Sequence, residues 1–149
     1  MSQSATVDLK SNVDIVEETY EYCLAYAAKG VNAQMAPSSD NEVRLRLENL
    51  AAALPKLVEC FLRFVEEDER ASALREHYQS FVDVLGRDAD AALAAVRLVL
   101  AQPGITSQIV DNLNGMIHLR ALLTDVFLVD EMLRPDAEHP PHTPPAEQE

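Results

Sequence analysis

The chain has 149 residues, of which 48% are hydrophobic and only 5% are aromatic. Its 25 acidic and 12 basic residues give a formal net charge of −13. Such an acidic surface repels phosphate backbones and anionic membranes, because affinity for nucleic acids comes largely from Lys and Arg side chains. Two cysteines are too few for a disulfide framework. The length fits a single domain with one core.

Helical periodicity dominates the sequence. Only four glycines occur, and the β-branched residues fall within 3.6-residue repeats rather than in alternating runs, which argues against a sheet. The N-terminal residues lack the basic and apolar regions of a signal peptide, and no apolar run approaches the roughly 18 residues needed to span a bilayer. These patterns predict an all-α, cytoplasmic protein: a bundle of four to five mostly antiparallel helices.

The N-terminal half of the chain predicts two long helices. Residues 1–10 show no clear period, and we expect a flexible N-terminus there, followed by a bundle domain over residues 11–134. A first helix is predicted from about residue 11 to residue 34, capped by a polar side chain. A second helix is predicted from about residue 40 to residue 67. Its apolar face continues through Pro55, which predicts a kinked helix or two nearly collinear pieces.

The C-terminal half predicts three further helices and a tail. A third helix is expected to end near Gly86, and a fourth to run from Asp88 to the Pro103-Gly104 pair. A fifth is expected from about residue 106 to Leu133. Residues 135–149 contain five of the eight prolines and no aliphatic side chain larger than Ala. Because this composition buries little apolar surface, it predicts a disordered, acidic, Pro-rich tail.

The stretch "PGITSQIVDNL" raises the possibility of DNA binding. It resembles the entry into the three-helix core of many bacterial winged-helix regulators, and the resemblance covers about 25 residues. It implies a transcriptional regulator that uses a helix-turn-helix-like segment at 92–124. The helix after Leu113 would then read the bases, yet its polar side offers one Arg, one His, one Thr and several acids. A reading helix needs phosphate anchors and base-edge donors, so DNA binding is kept as the alternative hypothesis.

His118 carries the third hypothesis, an enzymatic or phosphorelay role. The following residues are similar in type to those after the phosphorylated histidine of histidine phosphotransfer domains. Each comes one position early, however, and is therefore turned about 100° away on a helix. The sequence carries none of the common metal, nucleotide or dinucleotide motifs, and Cys23 and Cys60 lie on or beside apolar stripes, where free thiols are usually buried. We therefore predict no catalytic residue, cofactor, metal ligand or small-molecule substrate.

An apolar seam on the predicted fifth helix supports the favoured hypothesis. Large apolar residues recur there at steps of three and four: Leu119, Leu122, Val126, Val129 and Leu133. The seam faces away from the stripe that contains Ile109 and Leu113. A helix that is apolar in two directions is either enclosed by its own bundle or meets a second chain. The sequence thus predicts a non-catalytic protein-interaction module (a small regulator, adaptor or chaperone) whose seam binds a partner protein or forms a homodimer.

Overall fold

The computed structural model describes residues 4–133, apart from the side chains at positions 70 and 72. Over this range the chain is helical and contains no strand, which confirms the predicted all-α bundle. It has five long helices: α1 (Ala5–Ala28), α3 (Asn41–Glu67), α5 (Arg75–Leu100), α6 (Ser107–Gly115) and α7 (Ile117–Leu133). The single-turn helices α2 (Ala36–Ser39) and α4 (Glu69–Ser72) lie in two connections. The predicted tail at 135–149 lies outside the described residues.

Helices α1, α3, α5 and α7 form a ring in which each helix packs against two neighbours. Asp8 near the start of α1 accepts a hydrogen bond from Arg63 near the end of α3, at 3.0 Å. Lys10 of α1 reaches Asp130 near the end of α7, at 3.3 Å. Helix α5 runs antiparallel to both α3 and α7. This is the pairing of an up-and-down four-helix bundle.

Helices α6 and α7 together occupy the fourth position of the bundle. The Ser107 hydroxyl at the start of α6 donates to the Tyr26 carbonyl near the end of α1, at 2.7 Å. Farther along, the Asn114 side-chain amide donates to the Tyr20 carbonyl at 3.5 Å, and α7 continues beside the first half of α1. Helix α1 is therefore covered along its length by two consecutive helices.

The first helix starts and ends earlier than predicted. The Ser4 hydroxyl accepts a hydrogen bond from the Val7 amide at 3.2 Å and so caps α1. Leu9 is fully buried in the core, which means that the prediction of a flexible segment over 1–10 is wrong from residue 5 onward. The helix ends before Gly30, whose φ of +69° is the left-handed conformation that glycine adopts readily.

Helix α5 replaces the two helices predicted on either side of Gly86. It runs without interruption from Arg75 to Leu100, and Asp88 does not cap a new helix. The buried side chains of Leu85, Ala89 and Ala92 keep one helical phase across the glycine. A glycine inside a helix costs only about 1 kcal/mol relative to alanine, which this packing offsets.

The predicted continuous helix from 106 to 133 is also wrong, because the chain breaks at Met116. This residue is extended, with φ −66° and ψ 138°, and its amide donates to the Leu113 carbonyl at 3.2 Å. Asn114 and Gly115, both poor helix formers, precede the break. Pro55, by contrast, lies inside the single helix α3, as the continuous apolar phase predicts.

Replacing Gly86 by alanine tests the continuity of α5. A Cβ at this position would lie 3.8 Å from the Val58 side chain, an ordinary contact distance. We therefore expect Gly86→Ala to raise the free energy of unfolding by about 0.5–1 kcal/mol in urea titrations, because alanine loses less backbone entropy in a helix. The control Gly30→Ala should lower it, since Gly30 has a positive φ. A destabilised Gly86→Ala protein would contradict a continuous α5.

Candidate interaction surface

The five residues of the predicted seam lie in the core of the closed bundle. Their exposed fractions are 0–8%, and all belong to the central apolar cluster: Leu119, Leu122, Val126, Val129 and Leu133. Helix α7 completes the ring between α1 and α5, which cover this face. Of the two alternatives, the burial of these side chains favours a seam that is enclosed by its own bundle.

The turn between α5 and α6 is fixed by a partly buried ion pair. Asp40 is only 3% exposed, and its Oδ2 accepts hydrogen bonds from the Ile105 amide at 2.8 Å and from the Arg44 guanidinium at 3.2 Å. Arg44 also donates to the carbonyls of Leu100 and Gln102, at 2.8 and 3.0 Å. A guanidinium has several donors in one plane, which suits it to hold a carboxylate and two carbonyls at once.

The start of α6 is fixed by a second group of buried hydrogen bonds. The Ser107 amide donates to the Val31 carbonyl at 2.9 Å, and the Ser107 hydroxyl accepts from the Val31 amide at 2.8 Å. The Tyr26 hydroxyl donates to the Ile105 carbonyl at 2.6 Å. The "PGIT" turn that resembles a winged-helix entry is thus tied to α1 and α3 by its own polar groups.

The exposed side of α7 carries few groups that suit DNA reading. His118 and Arg120 are exposed near its start, while the rest of that side presents apolar and acidic side chains such as Phe127 and Glu131. Leu119, which follows His118, is buried, whereas His118 and Arg120 are exposed. The residues of the phosphotransfer-like pattern therefore do not share one exposed surface. The structure adds no support to either alternative hypothesis.

The two cysteines are buried free thiols, as predicted. Burial raises the pKa of Cys23 to about 11 and also raises the pKa of Cys60. Both thiols therefore stay protonated and poorly nucleophilic near neutral pH. Within residues 4–133, no group of three or more His, Cys, Asp or Glu side chains is placed to hold a metal ion. No helix in the same range is both long and apolar enough to cross a membrane.

An apolar groove lies between the first half of α5 and the second half of α7. It has a volume of about 240 Å³ and is lined by Leu74, His77, Tyr78, Phe81, Leu128 and Met132. Leu74 directly precedes α5, and Leu74, Tyr78 and Phe81 are four and three residues apart. The two lining residues of α7 are four apart, so each set forms one stripe. Leu74 and Leu128 are 51% and 53% exposed. These two leucines form an accessible apolar surface on the closed bundle.

Aromatic packing gives the groove a rigid floor. Phe61 of α3 is fully buried, and its ring centroid lies 5.7 Å from that of Tyr78 and 5.9 Å from that of Phe81. Phe64 adds an edge-to-face contact with Tyr78 at 6.1 Å. The Tyr78 hydroxyl reaches the Met132 sulfur at 3.8 Å and so links the two walls. Aromatic pairs at these separations hold ring positions by packing and quadrupole attraction.

The elements that line the groove carry many acidic residues. The run Glu66, Glu67, Asp68 and Glu69 spans the end of α3 and the start of α4. Glu76 lies in the first turn of α5, and Glu131 lies on the exposed side of α7. Arg75 offsets part of this charge. The segments that form and flank the groove thus carry more acidic than basic residues among those named here.

Two larger clefts of the described chain are lined differently. The cleft between the end of α1, the loop at 30–33 and the start of α6 has a volume of about 650 Å³. Its walls are mostly small or polar side chains, such as Ala27, Ala28 and Gln108. A groove of about 280 Å³ between α1 and α3 is lined mostly by polar residues, such as Asn12, Arg46 and Lys56. Neither offers a continuous stripe of large apolar side chains over an aromatic floor.

Comparisons of the chain with protein-family models, with curated proteins and with solved structures found no match.

Truncating the seam and the groove should affect stability very differently. Leu122 is fully buried, whereas Leu128 on the same helix is 53% exposed. We expect Leu122→Ala to lower the free energy of unfolding by about 2–5 kcal/mol, because it leaves a cavity in the core. The matched variant Leu128→Ala should lower it by less than about 1 kcal/mol. Urea unfolding followed by circular dichroism measures both. Equal effects would contradict the assignment of the seam to the core.

Proposed function

We propose that this protein is a non-catalytic interaction module that binds a basic amphipathic helix of a partner protein in the groove between α5 and α7. The observation that carries the proposal is the accessible apolar stripe formed by Leu74 and Leu128 above a preformed aromatic floor. Helix-in-groove binding is a common way for helical proteins to recognise a partner. It would give the chain the role of a small regulator, adaptor or chaperone.

The groove supplies binding energy with little reorganisation. Full burial of a leucine contributes roughly 1.5–3 kcal/mol, and about half of that remains available at Leu74 and Leu128 because each is half exposed. The packing of Tyr78 and Phe81 against Phe61 fixes the floor before the partner arrives. A preorganised surface loses less conformational entropy on binding, so more of the contact energy appears as affinity.

Charge favours a basic partner over a second copy of this chain. The chain carries a net charge of −13, and acidic residues such as Glu76 and Glu131 belong to the two helices that form the groove. Lys and Arg residues flanking an apolar stripe on the partner would face these carboxylates and speed association. A homodimer through the same groove would instead bring two acidic surfaces together.

A synthetic helix of Leu and Lys, arranged with one apolar and one basic face, is the probe for this proposal. We expect it to bind the wild-type protein in fluorescence anisotropy titrations, and Leu128→Asp to weaken the affinity by about tenfold or more, equivalent to about 1.4 kcal/mol. The control is Leu98→Asp, whose side chain is 67% exposed and lies roughly 25 Å along α5 from Phe81. It adds the same charge and should leave the affinity unchanged.

The paired variants separate groove binding from charge attraction. A new carboxylate beside the groove would by itself strengthen binding of a cationic peptide, so a loss of affinity confined to Leu128→Asp identifies the apolar groove. Equal affinities in the two variants would contradict the proposal. Light scattering on the free protein is a second test, because it measures whether the chain forms a dimer. A wild-type dimer that Leu128→Asp converts to a monomer would assign the groove to a second copy and overturn the proposed partner.

A further inference from the structure

A small cavity lies where α1, α3, α6 and α7 meet. Its volume is about 10 Å³, at the lower end of the roughly 10–15 Å³ that one water molecule needs. Most of its lining is aliphatic and includes Leu47 of α3, Leu113 of α6 and Leu119 of α7. Thr19 of α1 and Asn114 of α6 bring polar side chains to the same cavity. The cavity therefore combines the size of a single water molecule with a partly polar lining.

Asn114 has one end of its amide group without a protein partner. The residue is 5% exposed, and its Nδ2 donates to the Tyr20 carbonyl of α1 at 3.5 Å. Because a carbonyl only accepts hydrogen bonds, this contact fixes which end of the amide faces α1. Asn114 Oδ1 is buried and has no hydrogen-bond donor within residues 4–133. An acceptor buried in this way loses its hydration, which opposes folding unless another donor reaches it.

Thr19 supplies a second polar group from the facing helix. It is 4% exposed, and a hydroxyl can both donate and accept a hydrogen bond. Thr19 lines this cavity and also the polar groove between α1 and α3, so it lies between the cavity and a groove that solvent can enter. Cys23, one helical turn farther along α1, adds a thiol to the lining, which is a weak donor and acceptor.

We propose that this cavity binds one structural water molecule, which donates to Asn114 Oδ1 and hydrogen-bonds to the Thr19 hydroxyl. The water bridges α6 to α1 immediately before the break at Met116, where the chain turns into α7. Buried waters typically have two to four polar partners, whereas a cavity lined by aliphatic groups alone stays dry. The Asn114 oxygen is therefore the group that makes this site wet. The inference concerns the core of the bundle and does not depend on the proposed function.

Oxygen-17 magnetic relaxation dispersion on the full chain tests the water site. The method counts water molecules that stay inside a protein for longer than it tumbles, and exchanging hydroxyl protons do not affect it. Asn114→Leu removes Oδ1 and fills the space of the water with an apolar side chain, so we expect the number of long-lived waters to fall by one. The matched control is Asn112→Leu, at an exposed position of the same helix, which should keep the wild-type number.

Nuclear Overhauser effects between water and methyl groups locate the site in the wild-type protein, even if Asn114→Leu does not fold. We expect cross-peaks from water to the methyl groups of Leu113 and Leu119, which line the cavity. Three results would each overturn the inference. They are the absence of these cross-peaks, equal numbers of long-lived waters in the wild type and Asn114→Leu, and the same loss in Asn112→Leu. None of these measurements uses the Leu and Lys peptide, so the proposed function and the water site can fail separately.

Discussion

Covering the apolar face of α7 is the constraint on which the rest of the bundle depends. This helix buries six large aliphatic side chains: Leu119, Leu122, Leu123, Val126, Val129 and Leu133. Both α1 and α5 must pack against it, so the four antiparallel helices close into a ring. At the other end of the molecule, Asp40 and Arg44 hold the turn that leads into α6, and α6 delivers α7 to its place beside α1.

The same packing explains why one apolar edge remains accessible. The buried face of α7 is satisfied by α1 and α5, and Leu128 lies outside it, at the edge shared with α5. Leu74 directly precedes α5, and Tyr78 of α5 packs against the Phe61 ring. The groove therefore lies where the helices of the chain no longer cover the apolar side chains of α5 and α7. Its aromatic floor belongs to the core, whereas its rim belongs to the acidic surface.

Much of the fold could be predicted from the sequence, because apolar stripes at helical spacing identify both the helices and their buried faces. The positions at which helices begin and end were harder to predict. Gly86 looks like a helix end, but packing beside Val58 carries the helix through it. Asn114 and Gly115 look tolerable inside a helix, but the chain turns directly after them. Intrinsic preferences of about 1 kcal/mol are easily outweighed by tertiary contacts.

The candidate site could not be predicted from the sequence, for a different reason. The seam residues have a clear apolar period, but periodicity does not say whether a helix of the same chain covers them. The groove depends on the antiparallel register that sets Tyr78 beside Met132. Its lining residues are ordinary members of two separate helical patterns. The α5–α6 turn likewise depends on contacts between distant segments, such as Tyr26 with Ile105.

The most direct test of the central claim, that binding occurs at the α5–α7 groove of a closed bundle, is a nuclear magnetic resonance titration. The isotopically labelled protein is titrated with the Leu and Lys peptide, and the backbone amide shifts are followed residue by residue. The account predicts that the largest changes fall at 74–81 and 124–133. Changes centred on the cleft formed by residues 24–33 and 106–111, or spread evenly over the acidic surface, would contradict it.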